Sequence, residues 1–291
     1  MIGITIQGRL GNQLFQYAFI NSISKKLNTN FFIDQSVEPF KAAKYFQLKF
    51  SLSNLLFNNV FSISGYKNFF SYYLRVFYSK ALSRIFIKES KYFDFKESYQ
   101  EILPTIKDQV LYNGYFQSAA YFKDNEEEIL SQFTLKKSYQ KLYYNTYEKL
   151  GDGKKIVTVH IRKTDYQNQA HLNLGSDDIS LPMHFYHQTI AALNNNDTFF
   201  IFISDDPASL TDEFKYLVHK HISYSDEITD FQHLLKADIC IISNSTFSWW
   251  GAYLNKKPNK VVYAPKYFMG FHIQQEVPPH IYPSNWIQVQ C

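Results

Sequence analysis

Short runs of β-branched and apolar residues alternate along this chain with longer apolar stretches, and glycine or hydroxyl clusters stand between them. Ile2-Gly3-Ile4-Thr5-Ile6 predicts a buried strand, and Leu14-Phe15-Gln16-Tyr17-Ala18-Phe19-Ile20 predicts a helix after it. Residues 30–34 predict a second strand. Residues 111–117 predict a strand and a turn, and 125–133 and 138–150 predict helices, the first opening on Glu126-Glu127-Glu128. The pattern then becomes regular: strand 155–161, helix 182–193, strand 198–204, helices 207–217 and 228–236, strand 238–242, helix 247–255, strand 260–263. This alternation predicts an α/β fold with doubly wound parallel sheets. Gly151-Asp152-Gly153 is the clear Gly-rich break in mid-chain, so two domains are expected, 1–150 and 151–291. Residues 37–103 give no such alternation. Within them, 66–84 mixes aromatics with Lys67, Arg75, Lys80 and Arg84; a packed helix with solvated lysines is favoured there over docking on a membrane.

Three predicted strand ends carry chemistry. Val159-His160-Ile161-Arg162-Lys163-Thr164-Asp165-Tyr166 ends a strand in two cations and a carboxylate. Alternation along a strand places His160 and Arg162 on one side. A guanidinium can fork onto a phosphate, and Lys163 adds a point charge. The ordinary reading of this octapeptide is a strand end with solvated charges. Gly8-Arg9-Leu10-Gly11-Asn12-Gln13 lies between strand and helix, where glycines allow close backbone approach and free N–H groups open the helix. Its spacing is neither a dinucleotide fingerprint nor a Walker loop. Ser243-Asn244-Ser245-Thr246-Phe247 precedes Ser248-Trp249-Trp250-Gly251-Ala252-Tyr253-Leu254. A hydroxyl cluster there is ordinarily an N-cap, and it also suits a phosphate at the positive end of a helix dipole. The two tryptophans read as core.

Together, GRLGNQLFQYAF, GYFQSAAYF, HIRKTDY and SNSTFSWWGAYLN resemble the bacterial α-1,2-fucosyltransferases of glycosyltransferase family 11. The resemblance spans Gly8 to Leu254. It implies a GT-B-like fold, two Rossmann-like domains with a cleft between them. The N-terminal domain would lie on the acceptor side and the C-terminal domain would bind GDP-fucose. It implies an inverting transfer of L-fucose from GDP-fucose to the 2-hydroxyl of a terminal β-galactoside, with no metal and no cofactor beyond the donor substrate. The family usually has two adjacent arginines; the second here is Lys163, which keeps the charge and loses a fork. Thr164-Asp165 follows the wider fucosyltransferase superfamily, where many family members have glycine before the aspartate.

On this resemblance the donor contacts are His160, Arg162, Lys163, Asn244, Ser245, Thr246, Phe247 and Gly11. Ser204-Asp205-Asp206-Pro207 offers Asp205 or Asp206 to guanine, since a carboxylate accepts from both N1–H and the 2-amino group. The competing reading makes Asp206 a helix cap before Pro207. Arg162, Asp165 and Asn12 are the candidates for catalysis, with Asp165 as acceptor base or as a partner that holds Arg162. His171, Asp177 and Asp178 lie in the next loop. Gln13, Gln117 and Tyr166 are the candidates for the acceptor.

Composition narrows this further. Of 291 residues, 45% are hydrophobic and 19% charged, which is globular and large enough for two domains. Aromatics reach 18%, which serves packing and sugar stacking alike. A net charge of +4 suits an anionic nucleotide or weak peripheral contact with an anionic membrane, and is too small for a nucleic-acid binder. Cys240 and Cys291 form no framework, and no leader or spanning run is apparent, so a cytoplasmic enzyme is expected, at most peripheral at the inner face of the membrane. Two other readings remain beside the fucosyltransferase: transfer from another GDP-sugar, and a non-catalytic glycan- or nucleotide-binding protein. The acceptor, a galactose-terminated oligosaccharide or glycolipid, is not identified by the residues.

Overall fold

The computed structural model describes residues 1–49 and 69–291, which divide into two compact units. The first comprises 1–136 and 278–281. Its sheet is parallel throughout, in the order β2-β1-β4-β3, from β1 (Ile2–Thr5), β2 (Phe31–Asp34), β3 (Glu89–Tyr92) and β4 (Val110–Asn113). The helix Leu10–Lys26 follows β1 and is buried on nearly every side, which is why its sequence shows no polar face. Phe19 from this helix stacks on Phe116 with centroids 3.6 Å apart.

The second unit comprises 137–277 and 282–291. Its six parallel strands run β10-β9-β8-β5-β6-β7. They are β5 (Lys155–Ile161), β6 (Thr198–Ser204), β7 (Lys220–Ile222), β8 (Ile239–Ile241), β9 (Val261–Pro265) and β10 (Ile287–Val289). Val157 and Val159 of the central β5 are fully buried under Phe185, Phe202 and Phe214. Trp249 and Trp250 are core residues as expected, with Trp249 stacked on Tyr253 at 4.4 Å. The helices Glu227–Lys236 and Thr246–Leu254 meet at Gly251, where any Cβ would come within 2.6 Å of Leu234. The fold is the α/β class expected, with two parallel-sheet units.

Two expectations change. The division falls at Lys136/Lys137, not at Gly151, because the helix Lys137–Tyr147 belongs to the second unit: Tyr143 bonds His233 at 2.9 Å and Tyr147 packs on the same ring. Three strands were not predicted: β3, β7 and β10. All three are sheet edges of three or four residues. No residue of the edge strand β3 is fully buried, so Glu89-Ser90-Lys91-Tyr92 carries no apolar run. The 66–84 stretch contains the helix Phe69–Phe86; Tyr66, Lys67 and Asn68 lie outside the described residues.

Candidate functional site

Parallel register brings the ends of β5, β6 and β8 to one edge. Ile161 pairs with Ser204, and Val159 with Ile241, so the chain leaves all three strands at the same level. Residues 162–166, 205–206 and 242–247 therefore gather at the carboxyl edge of the sheet, where doubly wound folds hold their ligands.

Arg162 is the organising group. Its Nε and Nη2 donate to the two oxygens of Asp165, each at 2.6 Å, and Nε lies 3.4 Å from Asp205 Oδ2. Its guanidinium sits 5.7 Å over the Tyr166 ring. Burial alone would lower the Arg162 pKa, but the bonds and charges of Asp165 and Asp205 outweigh it and raise it. The cation is thus fixed in direction by a fork, a carboxylate and an aromatic face.

The Asp205 carboxylate accepts from Lys163 N at 2.9 Å, Thr164 N at 3.1 Å and the Thr164 hydroxyl at 2.5 Å. Burial opposes its ionisation, yet these bonds and Arg162 hold its pKa below the usual value. Asp205 is therefore the clamp of the turn after β5. Asp206 differs. It occupies the cap position before Pro207, but its side chain makes no cap bond, and among the described residues its carboxylate has no hydrogen-bond or ion-pair partner. Of the two aspartates left open by the sequence, only Asp206 keeps its oxygens available for a ligand. Lys163 reaches Ser209 Oγ at 3.1 Å.

Across the edge, the helix Thr246–Leu254 starts at Ser245, whose side chain makes no cap bond to its first N–H groups. Asn244 is fully buried; its Nδ2 donates to Ile179 O at 2.7 Å, while its Oδ1 has no partner. Tyr166 joins the two halves of the edge: its hydroxyl donates to Asn244 O at 3.0 Å, beneath the Arg162 guanidinium. Burial pushes that phenol up to about 12, so it stays a donor.

Several assigned residues take other positions. His160 is buried, with Nδ1 2.7 Å from Ser243 Oγ and its ring 5.5 Å from Phe247. Burial lowers its pKa to about 4, so it is a neutral tie between β5 and the 243–247 turn. The Phe247 ring packs against His160 and Phe231, which leaves its backbone for a ligand. Tyr166, assigned to the acceptor, supports Arg162 and the Asn244 carbonyl instead. Asp165 has both oxygens on Arg162 and so positions it, the holding role weighed against that of a base. Among the described residues, no hydrogen bond joins the His171 or Asp177 side chain to these groups; Ser180 N donates to Asp178 Oδ1 at 2.8 Å.

In the first unit, Gly8 adopts φ +76°, and a Cβ there would lie 2.5 Å from Asn12 Nδ2. Asn12 Oδ1 accepts from Gln117 Nε2 at 2.9 Å, and Gln117 Oε1 is buried without a partner. Gly11 is buried in the first helical turn. Gln13 has no exposure: it donates to Gly8 O and Pro39 O, each at 3.1 Å, and accepts from Lys41 N at 2.7 Å. It pins the loop that follows β2 and offers nothing to an acceptor. Gln16 works in the same way, accepting from Gln7 N and donating to Gly114 O, a role for which the sequence carries no signal. Arg9 is exposed at the start of the same helix.

Among the described residues, no group of three or more His, Cys, Asp or Glu side chains could hold a metal ion, and no helix is long and apolar enough to cross a membrane.

The model of glycosyl transferase family 11 matches residues 1–290. An O-antigen biosynthesis glycosyltransferase, WbnK, of Escherichia coli is 26% identical over 289 residues, covering 91% of this chain and 94% of the relative. An alpha-1,2-colitosyltransferase of Escherichia coli is 26% identical, covering 98% and 97%. Fucosyltransferase NodZ from Bradyrhizobium superposes with a TM-score of 0.50 at 14% identity, over 87% of this chain and 93% of that one. An Arabidopsis thaliana FUT1 mutant in complex with GDP gives 0.51 at 9% identity, over 90% and 69%. The two structures are alike in fold.

Proposed function

This chain belongs to glycosyltransferase family 11, and from that premise we propose that it transfers L-fucose from GDP-fucose to the 2-hydroxyl of a terminal β-galactoside with inversion. The observation that carries the reading is the carboxyl edge of the second sheet: a guanidinium fixed by Asp165 and Tyr166, joined through Asn244 to a helix start without a side-chain cap.

The chemistry follows from charge. As the bond from the anomeric carbon to the phosphate oxygen breaks, the electron pair and the growing charge pass to GDP. Arg162, Lys163 and the N–H groups at 245–247 stabilise that charge more in the transition state than in the ground state. The acceptor oxygen bonds to the carbon from the opposite face, through an oxocarbenium-like state, and passes its proton to water. Asp206 reads guanine at N1–H and the 2-amino group. Asn12 is presented by the Gly8 turn and held by Gln117. Protein cations and a helix dipole take the place of a divalent ion.

A second reading, transfer from another GDP-sugar, is favoured by the relative named as a colitosyltransferase. Incubation with GDP-fucose or GDP-mannose and a panel of β-galactosides, followed by linkage analysis, decides between them. An α-1,2-fucosylated galactoside is expected. GDP release with no new glycoside, or a preference for the mannose donor, would overturn the first reading.

A further inference from the structure

Charge is segregated along this chain in a way the transfer reaction does not use. Residues 39–88 hold eight of the 30 Lys and Arg and none of the 26 Asp and Glu, which leaves the rest of the chain with an acidic excess. The helix Phe69–Phe86 ends this segment. One face of it is anchored: Ser79, buried, accepts from Gln35 N at 3.1 Å, and Leu82 is buried beside it. The opposite face carries Tyr73, Phe77, Lys80 and Arg84, spaced four, three and four apart, which is one stripe of an α-helix. All four are exposed, Phe77 by 73%, and Ile85 flanks them at 70%. Lys88, two residues beyond the end of the helix, is exposed as well.

An exposed phenylalanine at this level is costly to leave in water, and a row of lysine and arginine beside it belongs to helices that lie in a lipid interface. Tyrosine suits the same boundary, with its ring in the acyl region and its hydroxyl among headgroups. Two copies of this face would set cation against cation, so self-association is disfavoured. We infer that the outer face of the Phe69–Phe86 helix docks the protein on an anionic lipid surface, with Phe77 inserted and Lys80, Arg84 and Lys88 on the headgroups.

The test is co-sedimentation of the full chain with vesicles of phosphatidylcholine alone or mixed with phosphatidylglycerol. Binding to the mixed vesicles, its absence on the neutral ones, and release by high salt are expected. Lys80→Glu with Arg84→Glu should lower partitioning about thirty-fold or more, since each basic residue near an anionic surface is worth a factor of roughly five. Phe77→Ser should weaken it at unchanged salt dependence, whereas Lys141→Glu, exposed on another helix, should leave it as it was. Because the altered side chains are exposed, melting temperatures should match the parent; if the glutamates lower them, Lys80→Gln with Arg84→Gln reads the same charge. Equal binding to neutral vesicles, no binding at all, or a dimer in sedimentation velocity that Phe77→Ser dissolves would each overturn the inference.

Discussion

Asp205→Asn and Asp206→Asn are adjacent, equal in chemistry and opposite in expected effect. The Asp205 carboxylate receives three donors within 3.1 Å and lies 3.4 Å from the Arg162 guanidinium, with its side chain 14% exposed. An amide keeps one acceptor and turns an NH2 towards the rest, so at least one donor is stranded at about 1–3 kcal/mol. The melting temperature should fall by roughly 3–10 °C, given about 2–4 °C per kcal/mol for a chain of this order of size. The Asp206 carboxylate has no hydrogen-bond or ion-pair partner among the described residues to lose, so the asparagine variant should melt within about 0.5 kcal/mol of the parent. If it reads guanine, however, GDP affinity should drop roughly ten- to a hundred-fold, because a guanine donor is left unpaired. Calorimetric titration of GDP and differential scanning fluorimetry on both variants measure the two effects separately. A parental GDP affinity in a folded Asp206→Asn protein would refute the guanine assignment, and an unshifted Asp205→Asn would refute the clamp.

Arg162→Ala should cost at least a hundred-fold in kcat while circular dichroism is unchanged, and Arg162→Lys should recover little, since an ammonium cannot hold the Asp165 fork; near-normal turnover of the folded alanine variant would remove the phosphate role. Gln13→Ala should lower the melting temperature by several degrees and leave KM for the acceptor alone, because all its bonds are internal; a raised KM with normal melting would restore it as an acceptor contact. Burial lowers His160 to about 4 and His233 to about 3, so the unfolded chain binds their protons first as pH falls below about 6.5, and each costs about 2 kcal/mol by pH 5. Asp230, raised by burial to about 7, binds its proton in the folded state and opposes them over the same range. Two groups outweigh one, so melting temperature should climb from pH 5 to 6.5 and flatten above; a profile flat from pH 5 upwards would contradict the burial of these rings. Activity should survive EDTA; loss restored by magnesium or manganese would show that protein cations do not suffice.

What the sequence determined by itself is local or periodic. Interior strands of a parallel sheet are buried on both faces, so β1, β5, β6 and β8 announce themselves as apolar runs. The turns that follow them are read from glycines, hydroxyls and charges within a few residues, and the 8–13, 159–166 and 243–254 blocks were legible for that reason. Of the edge strands, β2 was legible as an apolar run, but β3, β7 and β10 were not, since each is short and partly exposed. Nor was the place of Lys137–Tyr147, which depends on Tyr143 meeting a histidine ninety residues away. The division of labour within the blocks also required the tertiary structure. Gln13 and Asn12 are neighbours in sequence, yet one is spent on three internal bonds and the other is held by Gln117. Asp205 and Asp206 are adjacent at the end of β6, yet one clamps the β5 turn and the other makes no cap bond. Residue type sets what a side chain can donate or accept; the fold alone decides which of those bonds are already taken, and a site is made from what remains.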